Sequence, residues 1–122
     1  MTEKNRCLKG RMGEDAAAEF LVRGGLKILD RNFRCPAGEI DIIARDAGAV
    51  VFVEVRSRRG ERFGAPEESI SALKRKRLVQ VAHWYLKARG LEGSPARIDV
   101  VTIRWNGEEP AINWIVNAIA SR

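Results

Sequence analysis

The stretch GEIDIIARDAGAVVFVEVRSR, Gly38 to Arg58, constrains the fold more than any other part of the chain. It reads as two strands, Gly38–Arg45 and Ala49–Arg56, joined by Asp46-Ala47-Gly48, a short loop with hairpin chemistry. VVFVEV is apolar on both faces, the pattern of a central strand. Yet Glu39, Asp41 and Glu54 are set into these apolar runs, and Arg56 follows Glu54 by two residues. Side chains alternate along a strand, so Glu39, Asp41 and Ile43 share one face of the first, and Phe52, Glu54 and Arg56 one face of the second. Paired as a hairpin, the strands bring Asp41 and Glu54 to the same end of the sheet. An unpaired carboxylate is costly inside a strand of this kind, and two held together repel. Two arrangements relieve that cost. A hard divalent ion such as Mg²⁺ can sit between the carboxylates, or Glu54 can form an ion pair with Arg56, Arg31 or Arg34.

The rest of the chain supplies layers for such a sheet. Residues 9–24 predict a helix with Ala17, Phe20 and Leu21 as its apolar stripe, stopped by Gly24-Gly25; residues 1–8 are expected to be flexible. Glu14 lies at the edge of that stripe, where a first-turn acid that suits the helix dipole and a functional acid are equally good readings. Residues 26–34 predict a strand, 57–69 a loop rich in Arg and Gly, and 71–88 a helix with Leu78, Val81, Ala82, Tyr85 and Leu86 facing inward. Residues 96–105 and 111–118 predict two more strands. The order α-β-β-β-α-β-β, in a single domain over 1–122, is that of a mixed sheet flanked by helices.

Charge narrows the partners. With 22 Lys and Arg against 16 Asp and Glu, the net charge is +6, which suits a polyanion such as nucleic acid and equally a merely solubilising surface. Lys74-Arg75-Lys76-Arg77 sits near the start of the second helix, where the dipole disfavours cations and a phosphate would welcome them. Arg58, Arg59 and Arg62 add to the same region, and Phe63 is expected to anchor the loop rather than stack on a base. Two Cys and one His, with no CxxC or HxxxH, make no convincing zinc site. His83 is expected on a solvated face, and Trp84, Trp105 and Trp114 in packing roles. The first residues lack the apolar core of a signal peptide, and AINWIVNAIA falls short of the ~20 apolar residues that span a bilayer. A cytoplasmic protein with free thiols at Cys7 and Cys35 is expected.

GEID followed by VEV and a basic residue resembles the core of the PD-(D/E)XK nuclease superfamily, the restriction-endonuclease-like fold. GEDAAAEFL, KILDRNFRC, GEIDIIARD, VFVEVRSR, RFGAPEESI, KRKRL and RIDVV resemble, in order and spacing, the YraN-like family of uncharacterised bacterial proteins. The resemblance implies a fold similar to Holliday-junction resolvases, Mg²⁺ or Mn²⁺ as cofactor, and DNA as partner, branched and single-strand-containing forms included. It implies metal binding by Asp41, Glu54 and the backbone carbonyl of Val55, with Glu14 as an auxiliary acid. One position departs from the superfamily pattern: its lysine is here Arg56, which binds phosphate but cannot act as a base. Three readings follow: a divalent-metal-dependent endonuclease, a non-catalytic DNA-binding module of the same fold, and a protein–protein adaptor whose charge is incidental. No interface for a second copy is legible.

Overall fold

The computed structural model describes the backbone of residues 3–59, 70–107 and 109–119, and the side chains in those ranges except at 3–11, 58, 59 and 106. The elements are α1 (Glu3–Arg23), β1 (Lys27–Cys35), β2 (Gly38–Asp46), β3 (Ala49–Arg59), α2 (Ala72–Ala88), β4 (Ala96–Asn106) and β5 (Glu109–Ile119). They form one five-stranded sheet in the order β1-β2-β3-β4-β5, antiparallel throughout except for the parallel pair β3–β4. This is the expected α/β architecture: a mixed sheet flanked by helices, in the expected element order. A parallel pair needs a crossover, and α2 is that crossover.

The alternation of β3 divides the core between the two faces. Val50 and Phe52 pack with Leu78, Val81 and Tyr85 of α2, whereas Val51 and Val53 pack with Ala17 and Leu21 of α1. The sheet is thus a middle layer with one helix on each side. Tyr85 fixes α2 on its face, packing edge-on against Phe33 and Phe52 at 5.1 and 5.7 Å and donating to Asp30 Oδ2 at 2.8 Å. Helix α1 ends as the sequence predicts: the Leu26 N–H reaches back to the Leu21 carbonyl while Gly25 takes φ +100°, a turn that glycine makes without strain.

Several boundaries differ from expectation. Helix α1 begins at Glu3, before the expected start at residue 9. Strand β3 runs to Arg59, because β4 is long enough to pair with Ser57, Arg58 and Arg59; these are strand residues, not the start of a loop. Ser57 Oγ accepts from Trp105 Nε1 at 2.8 Å across that pair. Phe63 and Arg62 lie outside the described residues. Trp84 is 49% exposed, so of the three tryptophans it is not a packing residue. Cys35 is a free thiol and His83 is exposed, as expected; the Cys7 side chain lies outside the described ones. No helix among the described residues is long and apolar enough to cross a membrane.

Candidate functional site

The ladder between β2 and β3 runs from Asp46↔Ala49 to Ile42↔Val53 and stops there. The next residues along the two strands are Asp41 and Glu54, so they stand where the strands part. The pleat is disturbed at this point. Ile40 and Ile43, three residues apart, pack into the same cluster, so alternation slips between them, at Asp41. On the other side of β2, Asn32 stands between the pairs Arg31↔Ile42 and Phe33↔Ile40 with φ 56°, in the left-handed region. The fork between β2 and β3 is therefore distorted on both flanks of Asp41. Asp41 Oδ2 bridges it by accepting from the Val55 N–H at 2.9 Å. The amide and carbonyl of one strand residue leave on the same edge, so the Val55 carbonyl faces the fork too.

The Asp41 carboxyl stands against that of Glu54, which is 4% exposed. Two carboxylates held this close repel, which favours the protonated form of Asp41. Burial, then the bond to Glu54 and its charge, push the Asp41 carboxyl up to about 7, against the pull of the Val55 N–H; Glu14 adds a further push. Glu14, from α1, accepts from Arg31 Nε and from Asn32 Nδ2, both at 3.0 Å. Both helical layers thus reach the fork, α1 through Glu14 and α2 through Lys74.

Lys74 makes a contact that sequence reasoning did not foresee. Its Nζ lies 2.8 Å from Glu54 Oε2, where the sequence suggested Arg56, Arg31 or Arg34 as the cation and assigned Lys74 to phosphate. Arg31 is held instead by Glu14 and Asp15, and Arg34 by its cross-strand neighbour Glu39 at 3.0 Å. Glu39 is accordingly solvent-exposed and apart from the acid pair. Arg56 is half-buried, and strand alternation from Glu54 places it on the α2 face. Of the basic run, Arg75 turns partly inward and donates from Nε to the Ile70 carbonyl at 3.3 Å, while Lys76 and Arg77 are exposed. Arg58 and Arg59 continue β3 beyond the fork, with side chains outside the described ones, and Arg62 lies outside the described residues. The signal that could have found Lys74 is local: it stands at the third position of α2, in a first turn with no acid, so its charge needs a partner from elsewhere.

A second buried acid shows what a purely structural carboxylate looks like here. Asp99 on β4 is fully buried and accepts from Arg97 Nε at 3.1 and 3.2 Å, Trp114 Nε1 at 2.9 Å and the Asn117 N–H at 2.8 Å. Its oxygens are met by donors on every side.

The chain is thus an α/β protein with an acid pair at a strand fork. A family model described as "Uncharacterised protein family UPF0102" matches residues 13–103, and the chain belongs to that family. The UPF0102 protein of Syntrophotalea carbinolica is 47% identical over 103 residues, 84% of each chain. That of Moorella thermoacetica is 47% identical over 109 residues, 89% of this chain and 88% of its own. That of Symbiobacterium thermophilum is 51% identical over 94 residues, 77% of this chain and 80% of its own. Among solved structures, SfsA of Pyrococcus furiosus in complex with Ca²⁺ aligns with 94% of this chain and 65% of that chain, at 13% identity and a TM-score of 0.40.

Proposed function

We propose that this protein is a DNA-binding, divalent-metal-dependent endonuclease of the restriction-endonuclease-like superfamily that hydrolyses phosphodiesters at the fork between β2 and β3. The observation that carries the reading is the Asp41–Glu54 pair: a half-buried and an almost fully buried acid set together, with the Asp41 carboxyl pushed up by burial and by Glu54, in contrast to Asp99, whose charge is fully met by donors. An acid pair of this kind is short of positive charge.

The residues present fit a hard cation. Asp41, Glu54 and the Val55 carbonyl would hold Mg²⁺ or Mn²⁺, and water would complete the shell, since Mg²⁺ binds through one or two carboxylates and keeps several waters. Among the described residues no three His, Cys, Asp or Glu cluster to hold an ion, so the shell these residues offer is rich in water. A bound ion supplies an activated water and stabilises the leaving oxygen. Arg56, always charged, clamps a phosphate oxygen and takes no proton. Glu14 orients Arg31 and Asn32 beside the fork. The exposed Lys76 and Arg77, with Arg75, Arg58, Arg59 and Arg62, track the DNA backbone. Branched and single-strand-containing DNA are among the substrates to be tested.

The test is cleavage of linear, flapped and branched DNA in Mg²⁺ and in Mn²⁺, beside thermal unfolding with and without each ion. Metal-dependent nicking together with metal-dependent stabilisation is expected. DNA binding with neither would overturn catalysis and leave the non-catalytic module, the reading that Arg56 in place of lysine favours.

DNA binding has its own signature. Replacing Lys76 and Arg77 together with Ala is expected to weaken binding to all sequences alike. It should also flatten the slope of log K against log salt by about 2, at roughly 0.9 per phosphate contact. A fluorescence-anisotropy titration across salt concentrations reads both, and an unchanged slope removes these residues from the interface.

A further inference from the structure

Lys74 combines three properties. Its ammonium touches a carboxylate that is almost fully buried, with a side-chain exposure of 6% for Glu54 against 44% for Lys74 itself. Its backbone is pinned, because the Lys74 N–H donates to Ser71 Oγ at 3.1 Å in the helix cap. And it stands in the first turn of α2, where the dipole repels a cation. The backbone is fixed, the stem is wet, and what draws the charge inward is Glu54. An ammonium so placed can leave for solvent by side-chain rotation alone, without moving the helix.

Resting on the endonuclease reading, we propose that Lys74 is a resident counter-cation of the acid pair, which cedes Glu54 to a divalent ion and transfers its ammonium to a phosphate oxygen of the substrate. Nothing covalent changes: one ion contact is exchanged for another. Lys74 and a divalent ion compete for the same oxygens of Glu54, since two cations cannot share them at contact distance without repulsion. Once displaced, the ammonium lies at the head of α2 on the same side as the exposed Arg77, one turn on, which the proposed function assigns to the DNA backbone.

The experiment is a calorimetric Mn²⁺ titration of wild type, Lys74→Met and Lys74→Arg, with KM and kcat for DNA cleavage measured at saturating Mn²⁺. Losing the competing charge should tighten Mn²⁺ binding about tenfold in Lys74→Met, while Lys74→Arg stays near wild type. At saturating Mn²⁺, KM for DNA should rise several-fold in Lys74→Met, and less in Lys74→Arg. Lys74→Gln, which can still hydrogen-bond Glu54 without the charge, should behave as Lys74→Met and stands in for it if that variant does not fold. Unchanged Mn²⁺ affinity in the uncharged variants, or an unchanged KM, overturns the exchange while leaving the metal site intact. A wild type that binds no Mn²⁺ overturns the metal site and the exchange together.

Discussion

Asp41→Asn is expected to move the protein in two opposite directions at once: metal-dependent cleavage lost, and the metal-free fold made more stable at pH 8. The gain follows from the raised affinity of the Asp41 carboxyl for a proton. The Asp41 carboxyl is pushed up to about 7 in the folded chain, against about 3.9 when unfolded. A raised acid stabilises the fold fully below its unfolded value, and that contribution is lost as pH rises through the folded value. The wild type should therefore lose stability from about pH 4 to beyond pH 7 by this group, on the order of 2–4 kcal/mol by pH 8. An Asn side chain can accept from the Val55 N–H and donate to Glu54, reproducing the protonated acid at every pH. Its unfolding midpoint at pH 8 should lie about 10 °C above that of the wild type, with little difference at pH 4. Thermal scans from pH 4 to 9 without metal decide it, and parallel curves for the two proteins would mean that the Asp41 carboxyl is not raised. On the proposed function, cleavage should fall by at least about a hundredfold, because a neutral amide removes a charged ligand of the ion proposed at the fork. Binding to DNA in the absence of metal should persist.

The second large effect lies on the opposite face of the sheet. Asp99→Ala should destabilise the fold by about 3–5 kcal/mol, because removing the acid leaves the part-buried Arg97 guanidinium, the Trp114 indole N–H and the Asn117 N–H without their acceptor. For a chain of this size that lowers the unfolding midpoint by about 10–20 °C. Arg97 keeps its contact with Asp46 at 2.9 Å, so the loss is not total. Unlike a change at the fork, the effect should be the same with and without divalent ions, and cleavage per folded molecule should be unchanged. A midpoint within a few degrees of wild type would show that water replaces the carboxylate.

The contrast between these acids shows what a sequence of this kind discloses. Period-two alternation puts Asp41 and Glu54 at one end of a hairpin, because the constraint is local and strand geometry is fixed. The same alternation implied that Glu39 shares their surroundings, and there it failed. The pleat slips at Asp41, a distortion visible only with Asn32 and the Val55 amide in place, and Glu39 remains on Arg34. For Asp99 in RIDVV, alternation puts its neighbour Arg97 on the same face, but the Trp114 and Asn117 donors come from β5, across a register shift opposite Ile98–Val100. Lys74 looked like one of four equivalent cations, because the run KRKR gives no hint of which residue faces the sheet once α2 has crossed from β3 to β4. What the sequence could not carry were the contacts made by the crossover and by local irregularities.

The fork also joins parts of the molecule that the backbone keeps separate. It draws on the first helix, two strands and the second helix, so whatever fills it acts as a staple through all three layers. A ligand at a hundred times its dissociation constant adds about 2.7 kcal/mol to the cohesion of the folded chain, a substantial share of the roughly 5–15 kcal/mol that holds a domain of this kind together. Proteases that clear unfolded chains sample that margin continuously. The lifetime of this protein in a cell would then follow the supply of whatever occupies the fork, and its abundance would record that supply.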